Sequence, residues 1–365
     1  MMRLCDASEL LLDPNYLAHR IDIGGNRLIF LPTTRRLISR ASFLDGRTAI
    51  ATGPEVACRL DEALQAAETP AFEEAENAAP DRFIFHVAFC GSTRLARILD
   101  RPGRVLALRE PNLLVELADW KAALDRRSGE DPRLAALVRL TCVSLRSRWQ
   151  PEEAVIVKPS NWVNNLLPEL CLCGRRIRPV FVTSDRRAFL LAVFRGGRER
   201  LAFAARVASH LASGNRSRQA LLAAAIGAAS EPLGQAAHIA AFAHWLQIRQ
   251  FHDTLLAGGW GSEHVVTFDA IERAPHRAGS AAAEALGVDL SAGEVAQGVA
   301  RNAGRNAKLP GADYSSEAQQ EADRTVHRLY GAQIEAAIAW ARDFLPDAGE
   351  GPLEAGDYPE ELRVG

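Results

Sequence analysis

From residue 82 onward, short apolar runs alternate with longer segments whose apolar residues recur at helical spacing. Five runs have the length and composition of buried strands: residues 82–88, 104–108, 154–157, 179–183 and 264–268. Six segments have the helical spacing: residues 95–99, 112–124, 134–149, 161–170, 186–194 and 236–256. Because strands that alternate with helices form sheets covered on both faces, this pattern predicts an α/β fold with a central, mostly parallel sheet flanked by helices.

Ahead of these elements, residues 1–80 predict a smaller region of their own. Residues 20–23 and 27–31 flank Gly24-Gly25-Asn26, which suits a turn with positive φ, and together they predict a β-hairpin. The acidic, Ala- and Pro-rich stretch 68–80 is typical of a linker, and the acidic end of the chain is typical of a loose tail. We therefore expect an N-terminal extension over 1–80, an α/β domain over 81–345 and a tail over 346–365.

The composition supports a folded protein and excludes some classes of function. The chain has 365 residues, of which 48% are hydrophobic and 24% charged, enough for a sizeable core. Its formal net charge of −2 argues against a protein that coats nucleic acid or an anionic membrane. Neither the start of the chain nor the apolar run at 220–229 has the length and hydrophobicity of an export signal or a membrane span, so we expect a cytoplasmic protein. The six cysteines lack C-x-x-C spacing, which favours reduced thiols over disulfides or a zinc site.

The loop after the first of the five strands has the character of an anion cradle. A turn of small residues between a buried strand and a helix directs several backbone N–H groups at one spot, and the helix dipole favours negative charge there. The spacing is not that of a Walker A loop, which disfavours an ATPase or GTPase. The alternative is an ordinary strand-to-helix turn in which Ser92 caps the helix. The residues concerned are Cys90, Gly91, Ser92 and Thr93, followed by Arg94.

Two charged residues follow the next strands at the same predicted edge of the sheet. Lys158, one of only three lysines in the chain, comes directly after the run at 154–157, and Glu110 follows the run at 104–108. A cation beside an anion cradle offsets charge that develops on a bridging oxygen, and a carboxylate there is a candidate proton acceptor. The alternatives are a solvent-exposed lysine at a strand end, and a helix cap or salt bridge for Glu110.

The order of these segments, over about residues 82–345, resembles that of the sulfotransferase family, P-loop-like enzymes whose donor is 3′-phosphoadenosine-5′-phosphosulfate (PAPS). The resemblance implies that the loop at 90–93 holds the 5′-phosphosulfate, with Phe89 in place of the family's basic residue and Arg94 as a substitute for its charge. Lys158-Pro159-Ser160 looks like the family's second landmark, whose lysine reaches the transferred sulfuryl group. By position, Glu110 matches the base glutamate of the glycosaminoglycan and protein-tyrosine sulfotransferases. Ser160 stands where the cytosolic class has its histidine, which makes it a candidate sulfate or hydroxyl contact.

The strand at 179–183 resembles the one that precedes the family's 3′-phosphate site. Ser184 occupies the position of the family's arginine, and Arg186 and Arg187 are candidates to replace it. Residues 175–218 hold many arginines against two acidic residues, which favours a polyanionic ligand over this stretch, although a solvated helical face has the same composition.

Together these observations predict a sulfotransferase-like enzyme with a three-layer P-loop-like fold. It would transfer a sulfuryl group from PAPS to a hydroxyl or amine of a small molecule, without a metal ion and without a nucleic-acid or membrane partner. Two alternatives remain: a nucleotide- or phosphoester-binding transferase with a different donor, and a catalytically inactive binding module on the same fold.

Overall fold

A computed structural model describes residues 3–172, 174–304 and 315–346. The strands are β1 (Arg3–Leu4), β2 (Tyr16–Asp22), β3 (Arg27–Pro32), β4 (Val56–Arg59), β5 (Asp81–His86), β6 (Val105–Arg109), β7 (Ala154–Lys158), β8 (Ile177–Thr183) and β9 (Val265–Thr267). The α-helices are α1 (Ala7–Leu11), α2 (Arg35–Arg40), α3 (Leu60–Ala66), α4 (Pro70–Ala78), α5 (Ser92–Leu99), α6 (Asn112–Arg126), α7 (Arg133–Leu145), α8 (Leu167–Cys171), α9 (Arg186–Arg195), α10 (Gly197–Ala212), α11 (Arg216–Gly227), α12 (Pro232–Gly258), α13 (Phe268–Arg273), α14 (Pro275–Ala285), α15 (Ala292–Asn302) and α16 (Ser316–Phe344). Short 3₁₀-helices occupy Asn161–Leu166 and Ser262–His264.

The central sheet has five strands in the order β6-β7-β5-β8-β9, and all of its neighbouring strands run parallel. Helices flank this sheet, and β1–β4 form a separate mixed sheet in the order β1-β4-β3-β2. The predicted α/β fold with a central parallel sheet is therefore confirmed. The strand bounds agree with the predicted runs within about two residues, because side chains on both faces of such a sheet are buried and read as continuous apolar runs.

The predicted hairpin is present as β2 and β3, which pair antiparallel from Tyr16↔Pro32 to Asp22↔Arg27. Asn26 adopts the left-handed conformation in the turn, with φ of 52°. This sheet packs on the same apolar core as the central sheet, since Leu28 and Phe30 belong to one cluster with Phe83 of β5. A second apolar cluster lies between α9, α10, α12 and α16.

The stretch 68–80 is not a linker, and that expectation is wrong. It contains α4, which begins at Pro70 and buries the Phe72 ring. The guanidinium of Arg139 on α7 lies 5.4 Å from the centre of this ring and donates to the Glu76 carboxylate over 2.9 Å. Three of the four acidic residues of this stretch therefore lie on a packed helix rather than on an extended connection.

Two further expectations concern membrane spans and the acidic tail, and the structure bears on each of them only in part. No helix of residues 3–172, 174–304 and 315–346 is long and apolar enough to cross a membrane. The proposed tail falls almost entirely on residues 347–365, outside the described part of the chain.

Candidate functional site

The carboxyl ends of β5, β6 and β7 meet at one edge of the central sheet, where a cavity of about 750 Å³ opens. From β5 the chain continues to β6, towards one end of the strand order, and from the neighbouring β8 it continues to β9, towards the other end. Ligands of open parallel sheets bind where connections diverge in this way. Eight of the predicted site residues line this cavity: Cys90, Gly91, Ser92, Thr93, Arg94, Glu110, Lys158 and Ser160.

The loop between β5 and α5 turns sharply through two residues with positive φ, Phe89 at 62° and Gly91 at 78°. Gly91, not Ser92, is the residue that caps α5, and a Cβ at Gly91 would lie 3.2 Å from the Phe268 ring. Because the first N–H groups of a helix have no acceptor within it, the first turn of α5 presents donors to the cavity. The loop and the first turn of α5 thus lie at the cavity, and that they bind an anion stays a prediction.

Two side chains here, Cys90 of the loop and Arg94 of α5, form contacts within the protein. The thiol of Cys90 donates to the Val87 carbonyl oxygen over 2.8 Å, which fastens the loop onto the end of β5. Arg94 donates to the Glu272 carboxylate on α13 over 2.7 Å, so its charge at the cavity is shared with an acid.

Lys158 and Glu110 form an ion pair at the strand ends. The Lys158 ammonium lies 2.6 Å from one carboxylate oxygen of Glu110, and Lys158 is fully buried. The parallel register places Arg109 opposite Lys158, and the Glu110 N–H donates to the Lys158 carbonyl oxygen over 2.7 Å. Lys158 is therefore not a solvent-exposed lysine at a strand end. Glu110 does not cap α6, whose cap is Pro111, but it does hold a salt bridge, so the base and salt-bridge interpretations are both compatible with its position.

Arg47, from the N-terminal region, binds the second carboxylate oxygen of Glu110 over 2.9 Å. Its guanidinium lies 4.0 Å from the centre of the Phe43 ring and also donates to Asp45 over 2.6 Å. The hydrogen bond with Asp45, and the charges of Asp45 and Glu110, raise the pKa of Arg47. Phe43, Asp45 and Arg47 all line the cavity, and none of them is among the residues predicted from the sequence.

A buried arginine at the end of β6 explains how the N-terminal segment reaches the site. Arg109 is 1% exposed and donates to the Asp100 carboxylate over 3.0 Å. It also donates to the carbonyl oxygens of Ser39 and Ala41, and the Leu44 N–H donates back to the Arg109 carbonyl oxygen. An arginine that ends the apolar run at 104–108 was the available signal for this anchor.

Ser160 caps the 3₁₀-helix after β7, since its hydroxyl accepts from the Trp162 N–H over 3.4 Å. His86, at the end of β5, contacts the carbonyl oxygens of Val87 at 2.7 Å and Pro159 at 3.0 Å. These contacts hold the loop that carries Ser160 against the cradle, at the wall of the cavity.

Ser184, Arg186 and Arg187 do not line the cavity. Ser184 is buried and its carbonyl oxygen accepts from the His244 ring over 2.8 Å, while Arg187 pairs with Glu335 of α16 over 2.7 Å. Burial, followed by the charge of Arg186, lowers the pKa of His244 to about 3. The three residues thus lie around the start of α9.

The arginines of 175–218 do not form one surface. Arg175 pairs with Asp81 over 3.1 Å at the amino end of β5, the opposite edge of the sheet. Only three of them line the cavity: Arg195, Arg200 and Arg206. Among residues 3–172, 174–304 and 315–346, six Lys or Arg side chains and four acidic side chains line the cavity, which is an excess of positive charge. The described residues contain no group of three His, Cys, Asp or Glu side chains that could hold a metal ion.

No protein-family model matches this chain, and a search of curated proteins finds no match to it.

Proposed function

We propose that this chain is a sulfotransferase-like enzyme that transfers a sulfuryl group from PAPS to a hydroxyl or amine of a small molecule. The observation that carries the proposal is the ion pair between buried Lys158 and Glu110, which lines the same cavity as the first turn of α5. Transfer of a group from an anionic donor to a hydroxyl requires a site that binds the anion, a cation that stabilises the leaving group and a base that takes the proton. The anion cradle, Lys158 and Glu110 would fill these three roles.

The residues present suit one end of the donor. The N–H groups at the first turn of α5, with the Ser92 and Thr93 hydroxyls, offer hydrogen bonds to a phosphosulfate, and Lys158 supplies the positive charge. Gly91 lets this turn pack closely against α13, because a side chain there would meet the Phe268 ring.

In the proposed reaction the acceptor oxygen bonds to sulfur while the bond from sulfur to the bridging oxygen breaks. Lys158 stabilises the negative charge that collects on the leaving phosphate. Glu110 takes the proton of the acceptor hydroxyl, so the products are a sulfate ester and adenosine 3′,5′-bisphosphate. Since Lys158 is buried and the Arg47 side chain is 58% exposed, Arg47 is the contact of Glu110 that an acceptor displaces.

A second candidate is a transferase that uses a different nucleotide or phosphoester donor. One observation favours it: Ser184, Arg186 and Arg187, which the sequence suggested for the 3′-phosphate, lie away from the cavity lining. Such an enzyme would use the same cradle and the same Lys158–Glu110 pair, but it would not distinguish a 3′-phosphate from a 3′-hydroxyl.

The proposal predicts that Glu110→Gln lowers kcat by about 100- to 10,000-fold, because the amide keeps the shape of the side chain but cannot accept a proton. Binding of adenosine 3′,5′-bisphosphate should be at least as tight as in the unmodified protein, since a negative charge beside the anion is removed. The assay is turnover of PAPS with a panel of hydroxyl and amine acceptors, and Glu62→Gln, an exposed glutamate of α3, is the control. Unchanged kcat in Glu110→Gln at saturating acceptor would remove this residue as the base. Nucleotide binding without any turnover would instead favour a binding module.

A further inference from the structure

The junction of α9 and α10 carries a guanidinium that points to a second ligand contact in the cavity. Arg200 lines the cavity, and its guanidinium carbon lies 4.6 Å from the centre of the Phe89 ring. It donates one hydrogen bond, to the Ala192 carbonyl oxygen, over 2.7 Å. Within residues 3–172, 174–304 and 315–346, no acidic side chain forms an ion pair with Arg200.

The sequence of the junction fixes this side chain in place. α9 ends at Arg195, and α10 begins at Gly197, which has a φ of 59°. A Cβ on Gly196 would overlap the side chain of Arg200, which folds back over Gly196 to reach Ala192. The guanidinium is therefore ordered before a ligand arrives, and a preordered group loses less entropy on binding.

The charges around Arg200 favour an anion. Burial, followed by the charge of nearby Arg195, lowers the pKa of Arg200, although an arginine stays protonated at neutral pH. Arg195 already pairs with Asp323 of α16. Of the residues of α10 that line the cavity, Arg200 and Arg206 are positive and Glu199 is negative, so the helix contributes more positive than negative charge there. A partly desolvated guanidinium is stabilised by an oxyanion, which can accept two of its N–H donors at once.

We propose that Arg200 forms a second anion subsite, separate from the cradle at α5, and that it binds a phosphate, sulfate or carboxylate carried by the ligand. The identity of the ligand as a sulfuryl donor or its acceptor rests on the proposed function. The presence of an anion site rests only on Arg200, Phe89 and the α9–α10 junction. The oxyanion belongs either to the donor, as a second phosphate of its nucleotide, or to the acceptor.

The test compares Arg200→Gln with Arg198→Gln, an exposed arginine of the same helix that does not line the cavity. First, inorganic phosphate is titrated into the full chain with nitrogen-labelled arginine, and the Nε–H signals are followed by NMR; the signal missing from Arg200→Gln identifies Arg200. We expect phosphate to shift this signal and not that of Arg198. Second, calorimetry measures the affinity of each variant for adenosine 3′,5′-bisphosphate and for adenosine 5′-monophosphate.

Each outcome bears on the proposal. If Arg200→Gln weakens the binding of the bisphosphate by about tenfold more than the binding of the monophosphate, the anion is the donor's second phosphate. If both nucleotides bind the variant as they bind the unmodified chain, but phosphate still shifts Arg200 in the nucleotide-saturated protein, the anion belongs to the acceptor. If phosphate shifts Arg200 while neither nucleotide binds, the subsite stands and the proposed donor fails. A phosphate-insensitive Arg200 signal, together with unchanged nucleotide binding in Arg200→Gln, overturns the proposal.

Discussion

Replacing Lys158 by methionine is expected to lower kcat for sulfuryl transfer by about 100- to 1,000-fold, the loss typical of removing one preorganised group that stabilises developing charge. Methionine fills nearly the same volume as lysine but carries no charge, so the change acts on electrostatics more than on packing. The fold should survive, because Glu110 keeps Arg47 as an ionic partner after its 2.6 Å contact with Lys158 is lost. We expect a decrease of about 1.5–3 kcal/mol in the free energy of unfolding, the range for a hydrogen bond to a charged group.

The measurement is kcat and KM with PAPS as donor, alongside thermal unfolding to establish that the variant is folded. Lys121→Met is a matched control, since Lys121 also holds an ion pair, with Asp125 over 3.0 Å, but on α6 outside the cavity. Its kcat should equal that of the unmodified protein. A folded Lys158→Met protein with undiminished kcat would exclude Lys158 from the transfer step.

Replacing Arg109 by methionine is expected to lower the free energy of unfolding by about 3–5 kcal/mol, because it leaves a buried carboxylate without its cation. Arg109 is 1% exposed, and its guanidinium satisfies the Asp100 carboxylate together with the backbone of the α2–β4 connection. Burial raises the pKa of Asp100, and Arg109 is the largest influence that lowers it again. Without Arg109 the pKa of Asp100 should rise further.

The raised pKa of Asp100 determines how the stability of Arg109→Met should depend on pH. When the pKa of a carboxyl is higher in the folded than in the unfolded protein, the folded protein binds more protons between the two values, so stability falls as pH rises through that window. The penalty of Arg109→Met should therefore be largest at neutral pH and smaller under acidic conditions, where Asp100 is protonated. Chemical denaturation at several pH values measures this.

A second variant separates the buried charge from lost packing. In Arg109→Met combined with Asp100→Asn the carboxylate is gone, so part of the lost stability should return at neutral pH. If the double variant is as unstable as Arg109→Met alone at every pH, the uncompensated charge of Asp100 is not the cause.

The central sheet could be predicted from the sequence because its strands are buried on both faces. Phe83, Ile84 and Phe85 of β5 are all buried, which produces an uninterrupted apolar run and makes the strand visible without its neighbours. The stretch 68–80 could not be predicted in the same way. Its composition resembles a linker, and only the burial of Phe72 against Arg139 of α7 shows that it is a packed helix.

Of the candidate site, the residues that directly follow the strands of the central sheet could be predicted from the sequence. Glu110 and Lys158 follow neighbouring parallel strands, so their contact follows from sheet order and register. Arg47 could not be found by this argument, because it precedes Glu110 by 63 positions in the sequence and reaches it through the anchor at Arg109. Arg200 is one of many arginines in the sequence, and it is distinguished only by its position over Phe89 and its path across Gly196.

The central claim, that this cavity binds the nucleotide of a sulfuryl donor, is tested most directly by calorimetric titration of the full chain with adenosine 3′,5′-bisphosphate. We predict micromolar binding with one site per chain, at least about tenfold tighter than ADP, and weakened by about tenfold or more in Lys158→Met. Equal affinity for ADP and the bisphosphate, or no binding of the bisphosphate at all, would contradict it.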